Sequence, residues 1–366
     1  MKIKEILHSL EQWAPKAFQE VYDNCGIQAG NGNQELQGVL ITLDTTEAVV
    51  DEAIAKECNL IISHHPLLFK GVKNITGKND LERTLIKAIK HDITLYAIHT
   101  NLDHVSTGVN HQICKKLNLQ NTTTLEGKSG LLMKLVAYVP EAEKEHVLQA
   151  LFKVGAGEIG NYSACAFRSE GLGSFLPNES ANPHIGQVNK LEYVNESKIE
   201  TVFPAHLKHH IVRALKEAHP YEEVAFDIFE LQNTWNEVGA GRIGELPKPM
   251  TIDEFLKHIC TSMGIDTLKF THGFTGKISR VAVCGGAGSF LLKKALQSDA
   301  QAFISSDFKY HEFFDAENDI LIADIGHYES EVYTKELIYD FLNEKFSNIA
   351  VLISEINTNP VRYFRQ

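Results

Sequence analysis

His64 and His65 stand side by side at the end of an apolar run and directly before Pro66, in the stretch LIISHHPLLF from residue 60 to 69. Proline has no amide hydrogen, so the strand's ladder is expected to end there and both imidazoles to enter loop geometry. In parallel α/β sheets the carboxyl ends of the strands are where ligands bind. The next β-rich run, AIHTNLDH, brings His99, Asp103 and His104 to the same edge, and far along the chain GHYESE places His327 and Glu331 four residues apart behind Gly326. That spacing puts both on one face of a helix's first turn. An isolated histidine pair could simply cap a strand; imidazoles and carboxylates converging from three segments point instead to a metal centre. His64, His65, Asp103, His327 and Glu331 are too many donors for a closed tetrahedral zinc site and suit two divalent ions that share a carboxylate and a water. Side chains on adjacent α-carbons diverge, so His64 and His65 can serve different ions. Zn, Fe, Mn, Co and Ni all accept such donors. His99 and His311 are expected to hydrogen-bond to the ligands or carry protons.

The elements that must position these groups are legible as alternating patterns. IKEILHSLEQWA reads as an amphipathic helix; QGVLITLD, TTEAVVDEAIAKEC and NLIISHH read as strand, helix and strand; DLERTLIKAIKHD and ITLYAIHTNLD continue with helix and strand. SRVAVCGGAG, SFLLKKALQSDA and QAFISSD repeat the unit near the C-terminus and superpose on the first copy without a gap, Val39 on Val281, Ile41 on Val283, Ser63 on Ser305, and His64-His65 on Ser306-Asp307. An internal duplication of this kind predicts two parallel-sheet half-domains, face to face, with their strand ends converging. Between them, residues 131–232 read as βαββαβ, the ferredoxin-like order. The expected organisation is an α/β core from residues 1–128 and 245–366, interrupted by an α+β insertion at 129–244. VCGGAGSF (283–290) lacks the lysine of a phosphate-binding loop and reads as a tight strand-to-helix turn. HLKHHIVR (206–213) spreads its imidazoles around a helix and reads as a solvated face.

With 366 residues, 43% hydrophobic and 22% charged, the chain can bury a large core and hold two or three domains. A formal charge of −12 disfavours nucleic acid as a partner. Six scattered cysteines without a C-x-x-C pair suit a reducing cytoplasm, and neither an export signal nor a membrane-length apolar run is evident.

SHHP, HTNLD and GHYESE, together with DNCGIQAG near the N-terminus, HPYEEVAFD and the ferredoxin-like insertion, resemble the Nif-three-like dinuclear metal-centre family, often labelled GTP cyclohydrolase 1 type 2 homologues. The resemblance implies the same five metal ligands, with Asp103 and Glu331 as bridges. It also implies a toroidal homohexamer whose metal sites face an internal cavity, and an insertion similar to P-II and copper-tolerance-protein domains. The activity it suggests is metal-dependent hydrolysis, with a metal-bridged hydroxide as nucleophile and the purine ring of GTP as the labelled substrate. The alternative is a non-enzymatic regulatory or metal-handling assembly whose insertion senses a small molecule or binds a partner.

Overall fold

The computed structural model describes residues 1–364. They form two compact units, one from residues 1–127 with the chain from 236 onward, the other from residues 128–235. The first unit holds two sheets. One orders its strands Gly26–Ala29, Thr94–Ala97, Leu60–Ser63, Val39–Thr42 and Val351–Ile353; the other orders Lys269–Phe270, Leu321–Asp324, Ala302–Ser306, Ile278–Ala287, Trp235–Met250 and Gln120–Lys128.

The duplication read from the sequence is preserved residue by residue in the hydrogen-bond register. Val39 lies opposite Leu60 and Ile41 opposite Ile62 in the first sheet, as Val281 lies opposite Ala302 and Val283 opposite Ile304 in the second, both pairs parallel. Each copy also carries a third parallel strand and then a short antiparallel edge strand. The central strands are buried throughout their length, as expected of parallel strands covered on both faces. Their cores correspond too. Leu40, Ile61 and Leu95 pack with Val49, Val50 and Ala88 from the covering helices, and Ala282, Phe303 and Ile322 pack with Leu292 and Ala295. Each large apolar side chain so buried contributes about 1.5–3 kcal/mol, so the strand ends are held firmly in place.

The second unit is a four-stranded sheet ordered Ala166–Phe175, Glu192–Pro204, Leu132–Pro140, Phe226–Glu230, with every neighbour antiparallel. Helices Lys144–Lys153 and Lys208–Ala218 cover Leu135, Ala137, Val139, Ile199 and Phe203. This is the βαββαβ order in its ferredoxin-like arrangement. His209 and His210 are exposed on the second helix.

Two segments differ from the sequence expectation. NEVGAGRIGELPKP, with its Gly and Pro, reads as a connector, yet Trp235–Met250 is one long strand whose Arg242–Glu245 pairs antiparallel with Arg280–Val283. Pro247 and Pro249 fall within the register shift between the Glu245–Arg280 and Met250–Ile278 pairs, where the regular ladder is interrupted. The compact insertion accordingly ends at Trp235 rather than 244. ITLYAIHTNLD is a strand only at Thr94–Ala97; Thr100–His104 turns into a short helix that carries Asp103. No helix among the described residues is long and apolar enough to cross a membrane.

Candidate metal centre

Strand Leu60–Ser63 stops at Ser63, but the next two amides stay bound to the neighbouring strand's continuation, His64 N–H to Thr42 O at 3.3 Å and His65 N–H to Leu43 O at 2.9 Å. The histidine backbone is thus pinned although Pro66 follows. His64, fully buried, donates its Nδ1–H to the Ile98 carbonyl at 2.8 Å. His65 donates its Nδ1–H to Asp44 Oδ1 at 2.7 Å, and Thr358 steadies that carboxylate from its other oxygen at 2.6 Å. His327 opens the helix His327–Glu331 and donates its Nδ1–H to Asp307 Oδ2 at 2.7 Å. All three rings therefore have one nitrogen committed, which sets the tautomer and turns Nε2 inward.

The three Nε2 atoms meet Glu331, whose side chain is 3% exposed. His65 Nε2 and His327 Nε2 lie 2.9 and 3.1 Å from Glu331 Oε2 and 3.3 Å from each other, and His64 Nε2 lies 3.8 Å from Glu331 Oε1. Two imidazole lone pairs and a carboxylate oxygen at these separations repel unless a positive charge stands among them. Protons supply it in the metal-free protein. Burial opposes charge on His65, but hydrogen bonds to Asp44 and Glu331 outweigh it and the imidazole is pushed up to about 10. His327 is likewise pushed up to about 9, burial being outweighed by Glu331 and Asp307. Glu331, despite burial, is held well below the usual carboxylate range by the surrounding imidazoles of His327, His64 and His65.

Asp103 completes the cluster from the short helix. Burial raises its carboxyl above the ordinary value, and the nearby Glu331 charge adds to the rise. His64 Nε2 and Asp103 Oδ1 face each other at 3.6 Å, both buried and both without a hydrogen-bond partner. Orphaned buried polar atoms are costly, and a shared cation would satisfy both. The ligand atoms of His65, His327 and Glu331 lie within 4.8 Å of one another, as do those of His64, Asp103 and Glu331. Glu331 belongs to both groups and Asp103 to one, so of the two expected bridges only Glu331 is shared here.

The remaining expected residues divide. His99 lines the same cavity, donates its Nδ1–H to the buried Asp23 Oδ1 at 2.8 Å and stands with His64 and His65 in a third close group. His104 lines the cavity too, but Phe18 O and Glu20 occupy its two nitrogens at 2.7 and 3.2 Å. His311 is exposed on the 3-10 helix Tyr310–Ala316, beside Tyr310 and Phe314, and is not among the residues lining the cavity. A proton-carrying role for it has no geometric support. The glycine turn spends its amides internally, Gly285 N–H on Asn110 Oδ1 and Gly286 N–H on Ser330 Oγ, so it cradles no phosphate through them.

Sequence reasoning misses the carboxylates Asp44, Asp307 and Asp23 that orient the rings. One signal was present: Asp307 is the duplicate of His65, at the same strand end of the second copy. The cavity above the cluster measures about 620 Å³, within the range of roughly 300–1,000 Å³ typical of small-molecule sites.

A family model described as Duf34/NIF3 (NGG1p interacting factor 3) matches residues 1–360. The chain is 38% identical over 365 residues to a Bacillus subtilis protein called GTP cyclohydrolase 1 type 2 homolog, covering 98% of each. A Staphylococcus aureus protein of the same name is 37% identical, with 99% of this chain and all of that one covered. Among solved structures, a Bacillus cereus protein related to NIF3 superposes with a TM-score of 0.87 at 36% identity, over 100% of this chain and 99% of that one. By sequence and by fold, the chain belongs to the Duf34/NIF3 family.

Proposed function

We propose that this cluster holds two divalent cations, one among His65, His327 and Glu331, the other among His64, Asp103 and Glu331, and that the protein uses them to hydrolyse a small molecule. The observation that carries the reading is the pair His65 Nε2 and His327 Nε2, 3.3 Å apart against a buried carboxylate with each opposite nitrogen already spent. When bound, the ions would supply Lewis acidity, lowering the pKa of water toward neutrality and polarising the bond under attack. The protein's share is orientation and proton handling. Asp44, Asp307 and the Ile98 carbonyl aim the three rings. Asp23 holds His99 by Nδ1 and leaves Nε2 for the cavity, where it takes a proton as water adds to the electrophilic atom and returns it to the leaving atom. The relatives' name points to a purine ring as the group attacked. Assembly as a homohexamer in a reducing cytoplasm belongs to the same proposal, and sedimentation velocity tests the stoichiometry.

A second reading has its own observation. The inserted unit carries a separate cavity of about 330 Å³ beside Phe175, His184 and Tyr221, which suits a P-II-like sensing domain in a regulatory or metal-handling protein. Product analysis after incubating metal-loaded protein with nucleotides and nucleosides separates the two. Hydrolysis that disappears in His65→Ala supports the first reading; inert protein that retains its ions supports the second.

A further inference from the structure

The walls of the metal cavity carry a chemical signature that its floor does not. Tyr22, Phe69 and Phe290 line it, and they are 64%, 45% and 66% exposed. Large aromatics left in water around a cavity mark a surface awaiting a partner. Tyr22 and Phe69 lie 6.2 Å apart with their planes 32° from parallel, and Phe69 meets the His99 ring edge-on at 5.9 Å. One aromatic wall therefore runs from the rim down to the His99–Asp23 pair.

The charge of the cavity is as one-sided as its shape. Among the described residues lining it are the carboxylates Glu20, Asp44, Asp103 and Glu331, and no lysine or arginine. Two divalent ions on the floor would be largely offset by Asp103, Glu331 and the adjacent Asp44. A triphosphate of about four negative charges would find no lysine or arginine among the described residues lining this cavity, whereas phosphate recognition ordinarily recruits arginine, lysine or free backbone amides. Gly285 and Gly286 have already spent theirs. An uncharged flat ring meets none of these costs, since stacking needs only a π-face.

We infer that the substrate is an uncharged planar heterocycle of one or two rings, stacked between Tyr22, Phe69 and Phe290 over the metal floor, and that a nucleoside triphosphate is excluded. This rests on the hydrolase reading for its chemistry but not for its binding. The test is calorimetric titration of the full chain, with and without added Zn or Mn, using guanosine and inosine as uncharged probes and GTP and inorganic tripolyphosphate as charged ones. The nucleosides are expected to bind at least tenfold more tightly than GTP, and tripolyphosphate to leave them undisplaced. Phe290→Ala and Tyr22→Ala should each weaken nucleoside binding on the order of tenfold with metal content unchanged. Tighter binding of GTP or tripolyphosphate, absence of nucleoside binding, or indifference to both ring deletions would overturn the inference. Failure to take up metal, read by elemental analysis of the same samples, would strike the hydrolase reading instead, and ring dependence in the metal-free protein would still decide this one.

Discussion

A methyl group on Gly286 would lie 2.4 Å from Glu331 Oε1, and the Gly286 backbone sits at φ +63°. The glycine turn thus serves the site by what it lacks. Its left-handed conformation and missing Cβ leave room for the carboxylate that both proposed ions share. Gly286→Ala should cost about 1–2 kcal/mol for the backbone alone and push Glu331 from its place. Metal content per chain should fall sharply while circular dichroism shows a folded protein. Full metal content in the variant would contradict this.

Asp44 is not one of the five expected ligands, yet it holds His65 by Nδ1 at 2.7 Å. Removing such a partner lowers metal affinity by about 10–100-fold. Competition against a fluorescent chelator should show a loss of that size in Asp44→Ala and a similar one in Asp307→Ala, which frees His327. Unchanged affinity in both would mean the rings are held by packing alone.

Metal uptake should depend steeply on pH. In the metal-free protein His65 and His327 have been pushed up to about 10 and about 9, above the ordinary 6.5, so both carry protons at neutrality. An incoming cation must expel them. Apparent affinity should therefore rise with pH up to about 9–10, by roughly tenfold per unit for each proton displaced, and calorimetry in buffers of different ionisation enthalpy should count the protons released. For the metal-free fold the sign reverses. The ion-paired histidines add stability that is complete below 6.5 and lost as pH climbs through 9 to 10. A metal affinity flat between pH 6 and 9 would refute this.

Away from the site, Glu82 gathers the loop before helix Asp80–Lys90. It accepts from Thr76 N–H and Oγ1–H and from Lys78 N–H at 2.7, 2.8 and 3.1 Å, while Asn79 caps its own amide at 2.8 Å. These bonds, the Thr76 hydroxyl's foremost, depress the carboxyl to about 2 from 4.5. The stability it gives is present above 4.5 and lost as pH falls through about 2. Hydrogen exchange at the Thr76 and Lys78 amides should quicken in Glu82→Gln and in acid, with the sheet amides of Leu60–Ser63 unaffected. Equal protection in variant and parent would remove Glu82 from this role.

How much of this was legible in the sequence depends on whether the signal is local. His64, His65, His327 and Glu331 follow from strand ends and helical spacing, and the register of both sheets follows from the duplicated pattern. Asp103 is legible as a member of the cluster, but its helix is not. The β-branched and aromatic residues of ITLYAIHTNLD favour a strand, while the turn at Asn101 is secured by a bond to the Ala14 carbonyl, a long way back in the chain. Asp44, Asp307 and Asp23 act by standing within 3 Å of a ring in space, which no spacing rule encodes. Trp235–Met250 hides because three glycines and two prolines interrupt its pattern, although its partners are set by the neighbouring sheet.

The most direct measurement is anomalous diffraction at the absorption edge of whichever element is found in protein purified without added metal. Two peaks per chain are predicted, one bounded by His65, His327 and Glu331, the other by His64, Asp103 and Glu331. No peak in this cavity after soaking with Zn and Mn, or a single peak that leaves His64 Nε2 and Asp103 Oδ1 untouched, would contradict the two-ion centre.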